Sequence, residues 1–337
     1  MIESIRRLLF KETYKKGIDP KDLHFVKRSG GDFSSEGRAL FEIFSPRSED
    51  PIWIVKANRS KAGNEKLAAE FERLKKMRKG ISEDLRDSLP ATLILEERPT
   101  GSISIETFLP GTKVSLFFQE GDRKMIWRNW HSYGSAAIRW LERYSEVETP
   151  FEIHLNREWF ERVALAPLEN LASVWVDVQP EASSLIDRIR ATSIDFDIPL
   201  KMVPQHGDYT PGNLIAMEGR LGVIDWSPVD LSNPPLMDLF HFLLSSSIYL
   251  GRGLAEKPYE VLTDSRFLEG VQTELRAIFL QAGVPVEARI PLFRAAFLKK
   301  IEGYLSKPQA VESSVRQWTR LFGDDKAEVI EEAIVSL

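Results

Sequence analysis

In Pro204-Gln-His206-Gly-Asp208-Tyr-Thr-Pro-Gly-Asn213-Leu-Ile215 a carboxylate is followed five residues on by an amide. Leu221-Gly-Val-Ile-Asp225-Trp226 then adds a second carboxylate twelve residues after that amide. This set of side chains suits phosphoryl transfer. An alcohol acceptor needs a carboxylate to orient its hydroxyl and take its proton, and a polyphosphate donor needs a divalent cation on hard oxygen ligands. Asp208 fits the first requirement, as the catalytic residue. Asn213 and Asp225 fit the second, as ligands for Mg2+. A cation for the phosphates is the remaining need, and Lys56 closes the apolar run Ile52-Trp-Ile-Val55, where a lysine requires an anionic partner. Glu70 is the expected partner, since it lies on the same stripe as Leu67 and Leu74, whereas Glu65 and Glu72 point elsewhere.

The elements that must position these groups follow from periodicity. Residues 2–16 read as a helix. Ala39–Phe44 and Ile52–Lys56 read as strands separated by the turn-rich Ser45-Pro-Arg-Ser-Glu-Asp-Pro51, an antiparallel hairpin. Leu67, Phe71, Leu74 and Met77 mark a helix over 62–79. Strand patterns return at 91–95 and 103–108 and stop at Leu109-Pro110-Gly111. Beyond that turn the pattern is mainly helical, apart from a short hairpin near 213–226. The fold class expected is α+β and bilobal, with a small antiparallel-sheet N-terminal lobe over 1–107 and a larger, mainly helical lobe over 108–337. The first is expected to hold a polyphosphate donor and the second to carry catalysis and acceptor binding.

Composition narrows the function. The 337 residues contain no cysteine, which excludes disulfides, thiolate metal sites and cysteine nucleophiles. A net charge of −5 provides no basic footprint for nucleic acid. No apolar run approaches the ~18 residues of a membrane span, so the chain is expected to be cytoplasmic, without a membrane partner. Oligomeric state has no signature. Residues 1–107 hold 21 Lys and Arg against 18 Asp and Glu, whereas the remainder holds 24 against 32. That asymmetry suits a polyphosphate in the first half and a polar or cationic acceptor in the second.

The His-x-Asp-x4-Asn spacing equals that of the protein-kinase catalytic loop, with Asp225 in the place of the metal-binding aspartate. Together with the Ile-Asp-Trp strand end and Pro234-Pro-Leu-Met-Asp238-Leu, the sequence resembles the aminoglycoside phosphotransferase and choline kinase family. The resemblance implies a protein-kinase-like fold, ATP and Mg2+ as cofactors, and a small-molecule hydroxyl acceptor such as a sugar, amino alcohol or aminoglycoside-like compound. It implies a strand lysine paired with a helix glutamate, here Lys56 and Glu70. It makes Asp238 a buried brace for the catalytic loop, and His206 a structural residue. Ser29-Gly30-Gly31-Asp32-Phe33-Ser34-Ser35 stands where the family has its phosphate-covering loop, so Gly30, Gly31, Phe33, Ser34 and Ser35 are expected at the nucleotide. Counting back from Gly111 places Thr107 and Leu109 where backbone groups would meet adenine.

Two rivals are weighed against this reading. A protein kinase would need a long segment after its metal aspartate and an Ala-Pro-Glu, yet Asp238 follows Asp225 within thirteen residues. An inactive nucleotide-binding scaffold would be free to lose its lysine, base or metal ligands, and all are present. Trp127, Trp130, Trp140, Trp159 and Trp175 are expected in core or cleft wall, and His131 and His241 as satisfied core histidines.

Overall fold

Alternation along the central strands explains the first sheet, because successive side chains point to opposite faces. The computed structural model describes residues 2–28, 39–58, 60–98, 101–147, 152–166, 169, 187, 189–226, 233–305 and 326–336. Five antiparallel strands, β1 (His24–Arg28), β2 (Ala39–Phe44), β3 (Trp53–Asn58), β4 (Thr92–Arg98) and β5 (Gly101–Thr107), lie in the order β1-β2-β3-β5-β4. Trp53, Val55 and Ala57 of β3, with Ile103 and Ile105 of β5, face a core closed by Ile5 and Leu9 of helix α1 (Ile2–Lys15). The opposite face carries Lys56 from β3. There helix α2 (Lys61–Gly80) buries Leu67, Glu70, Phe71 and Leu74. Ser60 starts α2 by accepting a hydrogen bond from the Gly63 amide at 3.0 Å, the N-cap expected of a serine.

The chain forms two compact units, Met1–Thr112 with Met217–Pro228, and Lys113–Ala216 with Val229–Leu337. In the hairpin of β8 (Leu214–Met217) and β9 (Arg220–Val223), the second strand is tied within the first unit by the Val223 amide donating to the Ser88 carbonyl at 2.8 Å.

The second unit is mainly helical. Its described helices include α3 (Arg123–Asn129), α4 (Ser135–Ser145), α5 (Met237–Leu254), α6 (Gln272–Gln281), α7 (Val286–Leu305) and α8 (Lys326–Ser336). Helix α5 is apolar nearly all round, as a helix enclosed by others must be. Trp130 stacks on Phe267 at 4.5 Å between centroids and donates its indole N–H to the Phe267 carbonyl at 2.8 Å. Trp127, Trp130, Trp140 and Trp159 are all buried, as core residues; Trp175 lies outside the described residues. Two short strands, β6 (Glu152–Leu155) and β7 (Ile198–Lys201), pair antiparallel. Neither was expected, because four residues with a distant partner leave no pattern to read. His131 also departs from expectation. It is exposed, in a π-helical turn, with Nε2 3.2 Å from the Arg266 carbonyl. No helix among the described residues is long and apolar enough to cross a membrane.

Candidate active site

Lys56 projects from the middle of the sheet toward α2, where it is 10% exposed and therefore obliged to pair. Its Nζ lies 3.2 Å from Glu106 Oε1 and 3.4 Å from Asp225 Oδ1. Glu70, the expected partner, is buried on α2 and lines the same small cavity as Lys56, Ser104, Glu106 and Trp226. Glu106 was missed by sequence reasoning. The signal was present: Ser102, Ser104 and Glu106 alternate with Ile103 and Ile105, and Ser104 stands opposite Lys56 in the ladder. The polar face of β5 therefore had to meet the lysine.

Asp225 follows β9 in the left-handed region, with φ 63°. Aspartate tolerates this conformation better than most residues, but it still carries strain of the order of 1 kcal/mol that the surroundings must hold. Trp226 provides the anchor. It is buried, with its indole N–H donating to the Val223 carbonyl at 3.3 Å and the Arg73 guanidinium 5.9 Å from its ring centroid. Asp225 itself is half-exposed.

In the same unit, the Thr107 amide donates to the Ala91 carbonyl at 2.9 Å, so only its carbonyl could serve a base edge. Leu109 is buried. Gly30, Gly31, Phe33, Ser34 and Ser35 lie outside the described residues.

The second unit holds Asp208 and Asn213. The loop that carries them is organised from α5, whose buried Asp238 accepts hydrogen bonds from the amides of His206 and of Gly207, the latter at 3.0 Å. Gly207 has φ 89°, a conformation that favours glycine and turns the chain between His206 and Asp208. His206 is fully buried and its Nδ1 accepts from the Asp208 amide at 3.2 Å, a structural bond. Tyr209 fixes the next position by donating its hydroxyl to the Ala137 carbonyl at 2.9 Å. Complete burial, then the Asp238 charge, raise that phenol well above its ordinary range.

Asp208 is clamped at both oxygens. Asn213 Nδ2 donates to its Oδ2 and to its backbone carbonyl, each at 2.9 Å. Lys300 Nζ donates to its Oδ1 at 3.3 Å, and His241 Nε2 lies 3.9 Å from the same atom. Burial alone would raise the Asp208 carboxyl, but the Lys300 charge and hydrogen bond, with the imidazoles once they are protonated, outweigh it, and the group is held below its ordinary value. Burial, then Lys300, push His241 well below the ordinary histidine range, so it stands neutral beside an ionised aspartate at neutral pH. The Asp208 side chain is 42% exposed, enough for a hydroxyl to reach it. Lys300 and the placement of His241 were not legible, since both contacts join distant stretches of chain.

Among the described residues, no three His, Asp or Glu side chains converge as a complete cation site. The donors present are nonetheless of the right kind. With Asn213 Nδ2 committed to Asp208, Oδ1 is the amide's remaining acceptor in the second unit, and Asp225 is a half-exposed carboxylate in the first.

Replacing Asp238 by alanine leaves the buried His206 amide and the part-buried Gly207 amide without this acceptor. The expected result is a loss of about 2–6 kcal/mol in urea unfolding, at about 1–3 kcal/mol for each unsatisfied group. Asp238→Asn, which can accept only one of the two bonds, should fall between.

A family model described as the phosphotransferase enzyme family (APH) matches residues 53–267, well over half of the chain. No curated protein matches it. Among solved structures, the chain is similar to spectinomycin phosphotransferase APH(9)-Ia in complex with ADP and spectinomycin. The TM-score there is 0.51 at 15% identity, over 99% of this chain and 98% of that one. A candidate aminoglycoside phosphotransferase of Ralstonia eutropha JMP134 gives a TM-score of 0.52 at 15% identity, over 93% and 92%. At such identities the likeness is one of fold, while the family match covers the His206–Asn213 loop, Asp225 and Asp238 together. The chain belongs to the phosphotransferase enzyme family and is a kinase-like small-molecule phosphotransferase with a hydroxyl acceptor.

Proposed function

We propose that the protein transfers the γ-phosphoryl group of ATP, as its magnesium complex, to a hydroxyl of a small molecule in the cytoplasm. The observation that carries this reading is the clamp on Asp208. A carboxylate kept ionised, fixed at Oδ2 by Asn213 and still open to a hydroxyl is suited to orient an acceptor alcohol and receive its proton. The alcohol oxygen forms the new bond to phosphorus, the bond to the ADP oxygen breaks, and the proton passes to Asp208 and then to solvent. Lys56, fixed by Glu106 and Asp225, supplies the positive charge for the donor phosphates. Asn213 and Asp225 would hold the magnesium ion, which neutralises charge on the phosphate oxygens. Glu70 supports the lysine from α2. The Thr107 carbonyl and the Leu109 backbone would meet the adenine edge, and Gly30, Gly31, Phe33, Ser34 and Ser35 would cover the phosphates. The nucleotide lobe on this reading is residues 1–107, and 108–337 hold the acceptor. A neighbour in complex with ADP supports the nucleotide assignment.

The test is ADP release from magnesium-ATP across a broad alcohol panel, with calorimetric titration of the nucleotide. Saturable magnesium-ATP binding and acceptor-stimulated release are expected. Binding without stimulation by any alcohol would support the inactive scaffold instead.

A further inference from the structure

Lys56 meets two carboxylates, Glu106 and Asp225, that are held in different ways, and all three residues belong to the first unit. Glu106 stands on β5, a strand paired on both sides, opposite Ile54 of β3 and Thr92 of β4. Ser104, two residues back, stands opposite Lys56. Glu106 is therefore the diagonal neighbour of the lysine on one face of the sheet, within reach of a long side chain. Its Oε1 lies 3.2 Å from Lys56 Nζ, and its side chain is only 12% exposed. Asp225 approaches from a different support. It follows β9 with φ 63° and is half-exposed, so its contact at 3.4 Å is made by a group that solvent and ligands can reach.

On the phosphotransferase reading, on which this inference rests, Asp225 is a ligand of the magnesium ion. A carboxylate engaged by a divalent cation has its charge offset and offers a nearby ammonium little attraction. Lys56 then needs an anchor that keeps its charge for the lysine. Glu70 lines the same cavity from α2, whereas Glu106 is placed by the ladder that places Lys56 itself. We propose that Glu106 is a positioning residue for phosphoryl transfer. It fixes the Lys56 ammonium from within the sheet, so that the charge for the donor phosphates stays in place while Asp225 is engaged by the cation. The family resemblance names a helix glutamate for this task, and not a residue of β5.

A double-mutant cycle between Glu106→Ala and Lys56→Met tests this, because a residue that acts through Lys56 loses its effect once the lysine is gone. Two quantities are read for wild type, each single variant and the double variant. One is kcat for ADP release from magnesium-ATP with the best alcohol of the panel. The other is the affinity for metal-free ATP relative to adenosine, by calorimetric titration. Thermal unfolding checks folding, and Glu106→Gln takes the place of Glu106→Ala under the same criteria if the alanine variant is unfolded. The kcat loss from Glu106→Ala should be larger by about tenfold or more in the wild-type background than in Lys56→Met. Its effect on relative ATP affinity should be less favourable there by about threefold or more. A packing role would give equal losses in both backgrounds. Smaller coupling in either quantity overturns the proposal. If no alcohol stimulates ADP release by wild type, the phosphotransferase reading fails and the proposal falls with it, whereas weak coupling in an active enzyme defeats the proposal alone.

Discussion

Asp208→Asn is expected to lower acceptor-stimulated ADP release by about 10²–10⁴-fold, the range typical for removing a positioned general base. The variant keeps the side chain's size and can still accept a bond from Lys300 at one oxygen, so the loop should stay in place. What it loses is a group able to receive the acceptor's proton. Magnesium-ATP affinity, read by calorimetric titration, should change by less than about threefold, because on the proposed reading Asp208 addresses the alcohol and not the nucleotide. A variant retaining more than a tenth of wild-type turnover would remove Asp208 from the proton transfer. Its ionisation adds a pH statement. Lys300, with the imidazoles once they are protonated, holds the carboxyl below its ordinary value, so the active form persists at mildly acidic pH and is lost only as pH falls through that lowered value. The acid limb of the rate should therefore lie below the usual carboxylate range.

Lys56→Met carries the second large effect, of about 10²–10³-fold in kcat, comparable to the loss of one preorganised electrostatic contact to a reacting group. Methionine preserves the bulk of the aliphatic stem between Leu67 and Leu74, so packing against α2 changes little. Glu106 and Asp225, which both lie within 3.4 Å of the ammonium, are left without it. Their negative charges would then oppose an incoming triphosphate. The loss should appear in ATP use far more than in acceptor binding, which separate titrations can measure. Equal losses in both would contradict the assignment of the first unit to the nucleotide.

Most of the first unit was legible because its signals are local. The α1 helix, the hairpin of β2 and β3, the stripe on α2 and the strands β4 and β5 each follow from periodicity within one short window. The face of each side chain followed as well, which is why Lys56 and Glu70 were placed toward one another before any coordinates. Glu106 was available from the same alternation and was overlooked for a helix partner.

The shape of the His206–Asn213 loop was legible for another reason. The spacing from His206 to Asn213 is itself the geometry of a turn, with Gly207 where the backbone requires φ 89°. Lys300 was not legible at all. It is one of two adjacent lysines at the end of Phe297-Leu-Lys299-Lys300, and only the packing of α7 decides which of them meets Asp208. The strands β6 and β7 failed for a similar reason, being defined by their pairing and not by their own residues.

Helix α5 serves the second unit twice, and this bears on how such an enzyme can change over generations. Thirteen of its eighteen residues are buried, among them Asp238, which braces the loop, and His241, which faces Asp208. Substitutions along α5 therefore disturb packing and chemistry together and should be purged early. Lys300 stands on a different helix and reaches Asp208 from there. The surroundings of Asp208 can therefore change through α7 while α5 stays under the protection of the core. Laboratory selections for altered activity should accordingly collect changes around Lys300 well before they collect any on α5.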